Sequence, residues 1–466
     1  MALAVSRQMP ARQLLMQLRR RLAQWRDSRH GLTQRAAAAA FMIRVASAAI
    51  VFLSQVLFAR WMGDAEFGIY VYVWTWLMLV GELVHIGMPL TAQKFIPQYA
   101  HDRALELLRG YLAGSRWITF GVGTLAGLAG AAIVYETQNY LDSRAIMPFY
   151  LICIALPFYA CTFMFDGLAR SHNWINVALL PAYIVRPLLL IAGVAIARAA
   201  GLPMDATTVT AALTIATWLS ALGQLALLER RLGTVVPAGR KVYDLKLWLN
   251  TALPIVLVWG MYTLLTSTDI LVLKIFRPAE EVAHYYAAAK TLALISIIQY
   301  AVAAAAAHHF TAYHAAGDRV GLAAYAFGTV RLVFWPSFAG CLAMLLLGKW
   351  VLGLFGDGFR EGYPVIVALA VGQMARACVG PAERLLNMLG QQRICALAYA
   401  AAFAVNAAGC FVLAPRFGGV GAAAATAAAF VVESGALFLI ARRRLGLHMF
   451  VLAPAAGTKT PRHRQP

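Results

Sequence analysis

The chain has 466 residues, of which 61% are hydrophobic and only 13% are charged. Soluble globular domains carry about 25% charged residues, so this composition excludes an ordinary soluble protein and indicates one that lies within a membrane. The net charge of +20 does not point to nucleic acid, because most of the basic residues flank apolar segments, where they would meet anionic lipid headgroups.

Apolar stretches long enough to cross a bilayer follow one another along most of the chain. A helix of about 20 apolar residues spans the hydrocarbon core, which is about 30 Å thick. The sequence therefore predicts an all-α polytopic membrane protein of about twelve transmembrane helices. The predicted spans are 36–59, 67–90, 113–135, 145–168, 174–197, 206–228, 249–273, 282–307, 322–347, 363–380, 394–413 and 419–441.

The basic residues are distributed unevenly between the two sides of the membrane. If the N-terminus is cytoplasmic and the spans alternate, 27 Lys and Arg residues lie on the cytoplasmic side and 7 on the other. Cytoplasmic loops carry an excess of basic residues in membrane proteins, so we predict that both termini are cytoplasmic. Before the first span, Pro10–Trp25 has leucines on one helical face and arginines on the other, which predicts an amphipathic helix lying on the cytoplasmic leaflet.

Several kinds of chemistry have no motif in the sequence. There is no Gly-rich phosphate loop, which argues against ATP-driven transport within this chain. All six cysteines fall within predicted spans, where cysteine behaves as a small apolar residue, so we predict neither disulfides nor a metal site. The predicted outer loops are short, whereas membrane enzymes that polymerise or ligate sugars usually carry a large outer loop with catalytic residues.

The chain divides at a basic loop, with six predicted spans on either side. Glu66 and Tyr70, which open the second span, match Glu281 and Tyr285 of the eighth span at a constant offset of 215. This faint repeat predicts two six-helix lobes around a central cavity. The predicted units are a basic amphipathic N-terminal segment (1–35), an N-lobe with helices 1–6 (36–228), a basic cytoplasmic linker (229–248), a C-lobe with helices 7–12 (249–441) and a basic cytoplasmic tail (442–466).

Three short motifs resemble those of one protein family. Phe58–Tyr70 (FARWMGDAEFGIY) is similar to its LGxxxYGxY element, Leu354–Phe359 (LFGDGF) to its LFGxxF loop, and Pro415–Ala423 (PRFGGVGAA) to its P..G..GAA turn. Together with twelve spans, this order resembles the bacterial polysaccharide flippases of the multidrug/oligosaccharidyl-lipid/polysaccharide exporter superfamily. The resemblance covers about 36–441.

The resemblance implies a transporter rather than an enzyme, one that needs no cofactor. The implied substrate is an undecaprenyl-pyrophosphate-linked oligosaccharide, a precursor of cell-surface polysaccharide or lipopolysaccharide, flipped from the cytoplasmic to the outer leaflet by alternating access. The implied location is the bacterial cytoplasmic (inner) membrane. Expected partners are the polyprenyl-linked sugar, membrane lipids, and glycosyltransferases or a polysaccharide polymerase, but not nucleic acid.

Basic residues within the predicted spans are the candidate substrate-binding residues. Charges at such depth are costly and usually line a pathway or pair with one another. A pyrophosphate would be attracted by cationic groups facing a central cavity, and arginine can bind it through two parallel hydrogen bonds. The alternatives are structural ion pairs between helices and, for Arg331 and Arg376, snorkelling to the cytoplasmic surface. The candidates are Arg44, Arg186, Lys290, Arg331 and Arg376.

Acidic residues within the spans are the candidate ion-coupling residues, for a gradient of H⁺ or Na⁺; the membrane potential is the alternative driving force. Asp269 is the preferred candidate, because Thr266, Ser267 and Thr268 beside it would supply further oxygen ligands, although an ordinary interhelical hydrogen bond explains it equally well. The others are Glu82, Asp166 and Glu433. Glu82 and His85 share a helical face, as expected either for a proton-responsive pair or for a packed polar contact.

Two other functions compete with a flippase. A multidrug or other small-molecule exporter of the same superfamily would have a similar fold, but exporters of cationic drugs favour acidic cavities, and the intramembrane bases argue against one. A membrane glycan polymerase or ligase is the second alternative, and the short outer loops argue against it.

Overall fold

The computed structural model describes residues 29–452, and every regular element in that range is a helix, as predicted. The segment predicted to be amphipathic, Pro10–Trp25, and the tail from residue 453 lie outside the described residues. The α-helices are α1 (Arg29–Met62), α2 (Asp64–Val84), α3 (Met88–His101), α4 (Leu105–Thr137), α5 (Ser143–Ser171), α6 (Ile175–Leu180), α7 (Arg186–Ala199), α8 (Ala206–Val235), α9 (Leu245–Leu265), α10 (Thr268–Phe276), α11 (Ala279–Ala293), α12 (Ser296–Ala315), α13 (Arg319–Gly353), α14 (Tyr363–Val379), α15 (Ala382–Met388) and α16 (Gln392–Ile440).

Eleven helical segments of the described chain are long and apolar enough to cross a membrane. The last, Arg393–Leu445, has 53 residues. At 1.5 Å per residue it would extend about 80 Å, more than twice the thickness of the hydrocarbon core. Gly418 divides this segment, because its φ of 59° and ψ of −138° are not helical. The segment therefore makes two crossings, which brings the number of spans to the predicted twelve.

Many helices extend beyond the predicted spans. Hydropathy detects only the part of a helix that lies in hydrocarbon, whereas the helix itself continues until its backbone groups find other partners. Four helices begin where an aspartate side chain accepts a hydrogen bond from a backbone N–H of the first turn, as N-caps do. These aspartates are Asp142, Asp205, Asp244 and Asp318.

Four predicted spans are interrupted. The second is broken between α2 and α3, the seventh between α9 and α10, and the eighth between α11 and α12. The fifth passes from α6 to α7 through a π-helical turn, Pro181–Val185, where the Pro181 carbonyl accepts a hydrogen bond from the Ser220 hydroxyl at 2.8 Å. Irregular backbone at membrane depth is tolerated where it is buried in protein or lines a cavity, so these breaks indicate where the interior is polar.

The two halves of the chain meet where α2 packs against α11. A Cβ atom at Gly68 would overlap the carbonyl oxygen of Ala279, so only glycine permits this approach. Nearby, the Nε2 atom of His284 lies 2.7 Å from the Oδ2 atom of Asp64. The halves are thus in direct contact at the end of the molecule that the basic residues predict to be outside.

Candidate functional site

Arg44 lies between helices of both halves. Its guanidinium carbon is 4.9 Å from the ring centre of Tyr183, in the π-helical turn, and 5.0 Å from that of Tyr300, on α12. A cavity of about 240 Å³ opens beside it. This cavity is lined by Phe41, Arg44, Val45, Ala293, Ser296, Ile297 and Tyr300.

Arg186 and Lys290 also lie against aromatic rings. The guanidinium carbon of Arg186 is 4.9 Å from the ring centre of Tyr159 and 5.9 Å from that of Trp74. The ammonium nitrogen of Lys290, in the last turn of α11, is 5.0 Å from the ring centre of Tyr286. The face of an aromatic ring attracts a cation but does not neutralise its charge.

Arg44, Arg186 and Lys290 share a second property. None of the three forms an ion pair with a carboxylate in the part of the chain that the structure describes, although ion pairs do form elsewhere in the spans. The nearest counter-charge identified for Lys290 is the buried Asp269, with which it interacts electrostatically. Arg44 likewise interacts electrostatically with Asp166. The three bases therefore have no described carboxylate in direct contact, but two of them lie within electrostatic reach of one.

The other two candidate bases have different surroundings. Arg376, on α14, is paired with Glu433, on α16: its Nη2 and Nε atoms lie 2.6 and 3.1 Å from one carboxylate oxygen. The Arg376 guanidinium also stacks 3.6 Å from the ring centre of Phe430. Arg331, on α13, is exposed and lies over the ring of Phe327. The structure thus separates both from the first three bases.

Two of the four candidate acids are neutralised by arginine. Glu433 is paired with Arg376, and Asp166 accepts a hydrogen bond of 2.8 Å from Arg170, one turn further along α5. Glu82 faces His85, with 3.4 Å between the Oε2 and Nε2 atoms. Because Asp166 and Glu433 already have an arginine as their counter-charge, they are poorer cation sites than a carboxylate without one.

Asp269, on α10, is buried without an arginine or histidine partner among the described residues. Its carboxylate accepts hydrogen bonds from the Ile270 N–H at 2.9 Å, from the Tyr285 hydroxyl and from the Thr426 hydroxyl at 3.3 Å. The Asn406 side chain donates to the same Thr426 hydroxyl at 3.0 Å. Oxygen atoms from α10, α11 and α16 therefore converge on this carboxylate.

The sequence predicted the acid of this cluster but not its neighbours. The hydroxyls of Thr266 and Thr268 donate to backbone carbonyls of the preceding turn instead of turning toward Asp269. Tyr285, Asn406 and Thr426 take their place, and the last two lie more than 130 residues away in the sequence. No local pattern could have brought these residues together. No group of three or more His, Cys, Asp or Glu residues suited to a metal ion occurs among the described residues.

The aromatic residues beside the three unpaired bases were also missed by the sequence analysis. Only one of them carried a local signal: Tyr286 lies four residues before Lys290, a spacing that places two side chains on one helical face. Tyr183 and Tyr300 reach Arg44 from helices far apart in the chain. Their role depends on how the two halves pack.

The fold is that of transporters in the MOP superfamily. The chain superimposes on an inward-closed lipid II flippase MurJ with a TM-score of 0.70 and 13% identity, over 87% of each chain. An inward-facing multidrug-resistance MATE transporter gives a TM-score of 0.71 and 14% identity, over 87% of this chain and 98% of the other. A MOP superfamily transporter from Pyrococcus furiosus, described as having a binding pocket of reverse polarity, gives a TM-score of 0.63 and 13% identity. The match covers 88% of this chain and 95% of the other.

Sequence comparison identifies the family within that class. The family model for polysaccharide biosynthesis proteins matches residues 35–308, more than half of the chain. This chain belongs to the polysaccharide biosynthesis protein family. A search of curated proteins found no match. Family and fold together make it a multi-pass membrane protein built as the MOP superfamily transporters are, and the predicted resemblance is confirmed.

Proposed function

We propose that this protein is a flippase that moves an undecaprenyl-pyrophosphate-linked oligosaccharide from the cytoplasmic to the outer leaflet of the bacterial inner membrane. One observation carries the proposal: Arg44, Arg186 and Lys290 lie within the membrane against aromatic rings and without a carboxylate partner. Family membership supports the link to surface polysaccharide.

An unpaired base at membrane depth is costly unless a ligand compensates it. A pyrophosphate provides that compensation, because its oxygens accept charge-assisted hydrogen bonds from guanidinium and ammonium groups. Arg44 borders the cavity of about 240 Å³ between α1 and the junction of α11 and α12, where a headgroup would first meet both halves. The adjacent rings of Tyr183 and Tyr300 keep this arginine in place without competing for its charge.

Alternating access requires that the contact between the halves be broken at one end. In this structure the end predicted to be outside is closed: Asp64 bonds to His284, and the Phe67 ring lies 5.9 Å from that of Phe359. The Arg60 side chain also donates to the Leu354 carbonyl across the same interface. We propose that these contacts separate when the substrate is released to the outer leaflet, and that both termini are cytoplasmic.

The driving force has two proposed sources. Outward movement of an uncompensated anion gains about 2.3 kcal/mol per charge per 100 mV, or about 4–5 kcal/mol for a pyrophosphate with two charges. Bases that moved with the substrate would cancel part of that gain. The second source is a cation gradient acting at Asp269, where a buried carboxylate and the oxygens of Tyr285 and Thr426 suit a small hard cation such as Na⁺, or a proton.

The proposal is tested by replacing each unpaired base in a strain that depends on this protein. Arg44→Ala, Arg186→Ala and Lys290→Ala should each reduce surface glycan at unchanged protein abundance. The loss of one charge-assisted hydrogen bond, about 1.5–3 kcal/mol, corresponds to about 10- to 150-fold slower transport. Arg186→Lys should restore transport only in part, because lysine lacks the planar fork of arginine.

Arg331→Ala is the matched control, because it removes an exposed base that also lies over an aromatic ring, and it should leave surface glycan unchanged. Full transport by all three alanine variants would refute the proposed cationic site. Unchanged glycan with a loss of drug resistance would instead support an exporter. Glycan elongation by the purified protein would support a polymerase.

A further inference from the structure

The break in the second span is strained and is bridged by a histidine. α2 ends at Val84 and α3 begins at Met88. Between them, Ile86 has a φ of +48° and Gly87 a φ of +67°. Glycine adopts such angles easily, but a β-branched residue does so rarely and under strain. Strained backbone of this kind persists where its surroundings impose it, and it occurs preferentially at functional sites.

The imidazole of His85 is part of what imposes this conformation. The Gly87 N–H donates to its Nδ1 atom at 3.2 Å, and its Nε2 atom lies 3.4 Å from the Oε2 atom of Glu82. Because a backbone N–H can only donate, Nδ1 carries no proton in this arrangement. The single ring proton is therefore on Nε2, which donates to Glu82. His85 thus closes the break only while its imidazole is neutral.

The helices around the break supply few other charges. On α5, Phe163 packs against the His85 ring with 5.4 Å between ring centres, and Tyr159 interacts electrostatically with Glu82 and with Arg186 of α7. The Asp166–Arg170 pair lies further along α5. On α4, the Tyr111 hydroxyl donates to the Met88 carbonyl, at the start of α3.

The opposite side of the break contacts the second half of the chain. A Cβ atom at Gly87 would lie 2.6 Å from the Ala252 carbonyl oxygen and 3.1 Å from the Val256 side chain, both on α9. A Cβ at Gly260, also on α9, would lie 3.0 Å from the Leu83 side chain. These α9 contacts are apolar or backbone. Any change in the backbone at Gly87 would be transmitted directly to α9.

We propose that His85 is a proton-binding site that controls the break in the second span. A second proton on the ring binds at Nδ1, where it removes the acceptor of the Gly87 N–H. The imidazolium then holds Glu82 through a stronger, charge-assisted hydrogen bond. Proton uptake therefore breaks the hydrogen bond between the Gly87 N–H and His85 and strengthens the one between His85 and Glu82. Gly87 is then free to move against α9. The inference deepens the proposed function, because it identifies a proton as a ligand that biases alternating access.

Amide hydrogen exchange tests this directly on the full chain in lipid nanodiscs, with pH as the only variable and no substrate. After correction for intrinsic rates, protection of the Gly87 amide should fall about fivefold between pH 8 and pH 5.5, since a neutral hydrogen bond is worth about 1 kcal/mol.

Two variants of His85 distinguish the loss of the hydrogen-bond acceptor at Nδ1 from the uptake of a proton by the ring. In His85→Asn, the amide oxygen occupies the place of Nδ1 and does not titrate, so protection should be high at both pH values. In His85→Gln, the polar group lies in the place of Nε2, so protection should be low at both. His172→Asn, at a histidine beyond the end of α5, is the matched control and should keep the native response.

A native protein whose Gly87 protection does not change with pH would overturn the inference. So would a His85→Asn variant with the native pH response. Neither result depends on any sugar substrate, so the exchange experiment decides the inference on its own. The flipping assay decides the proposed function: loss of all transport with an intact exchange response would count against the flippase alone.

Discussion

The two halves of the chain contain matching contacts, which we call the corners: Glu66 with Ala206 in the first half and Glu281 with Gly419 in the second. In the first half, the Glu66 carboxylate accepts a hydrogen bond of 2.9 Å from the backbone N–H of Ala206, where the sixth span begins. In the second, the Glu281 carboxylate accepts one of 2.7 Å from the N–H of Gly419, where the twelfth begins. Each glutamate therefore caps the last span of its own half.

The corners differ in the side chain beside one buried tyrosine. Tyr70 and Tyr285 are both fully buried, but Tyr70 lies close to the Gln55 side chain, whereas Tyr285 donates a hydrogen bond to Asp269. The first half thus uses a neutral amide where the second uses a carboxylate. A buried carboxylate without a basic partner in contact is costly. The shared corner is a structural feature of both halves, whereas the buried carboxylate occurs beside the second tyrosine, which is why we propose the cation site there.

The largest effect is expected from removing that one charge. Asp269→Asn keeps an oxygen that accepts from Tyr285 and Thr426 but cannot hold a cation by charge. In liposomes carrying an undecaprenyl-pyrophosphate-linked sugar, the stimulation of flipping by a Na⁺ or H⁺ gradient should fall by about 5- to 150-fold, the range of ordinary coupling free energies.

Gln55→Asn, at the side chain beside Tyr70 in the first half, is the control for Asp269→Asn, and it should leave the response to the gradient unchanged. If Asp269→Asn responds to the gradient as the native protein does, the two corners are both purely structural. The membrane potential would then be the remaining proposed driving force.

A methyl group added at Gly418, in the second corner, should destabilise the protein. A Cβ at Gly418 would overlap the Glu281 carboxylate, and the φ of +59° is itself unfavourable for alanine. Gly418→Ala should lower the stability of the detergent-purified protein by about 1–3 kcal/mol, measured as earlier thermal unfolding. Gly435→Ala, in open space on the same helix, should unfold within a few degrees of the native protein. Equal unfolding of the two variants would contradict the assigned contact.

The smallest effects should come from the capping glutamates themselves. Glu66→Ala and Glu281→Ala each leave one backbone N–H without its acceptor, which costs about 0.5–2 kcal/mol. If the corners are equivalent, both variants should lose stability by similar amounts, whereas Glu136→Ala, at an exposed glutamate of α4, should be near neutral. A loss at one corner only would show that the match at an offset of 215 residues is coincidental.

Elements set by local composition were predictable. The apolar runs predicted twelve crossings because hydrocarbon demands continuous helix, and the glycines of Pro415–Ala423 predicted a turn that the structure places at Gly418. The helix ends, the break at His85–Gly87 and the interruption between α11 and α12 were not predicted. They depend on hydrogen bonds to groups outside the span, such as that from Tyr111 to Met88.

The sequence by itself determined the membrane class, the number of spans and the set of charges within them, because transfer of each segment into hydrocarbon depends mainly on its own residues. Only the tertiary structure decided which charges pair. It joined Arg376 to Glu433, left Arg44, Arg186 and Lys290 against aromatic rings, and surrounded Asp269 with hydroxyls from distant helices. The physical reason is that a charge within the membrane is compensated by the groups that the packing of other helices brings within a few ångströms. The residues of a single span do not determine that packing.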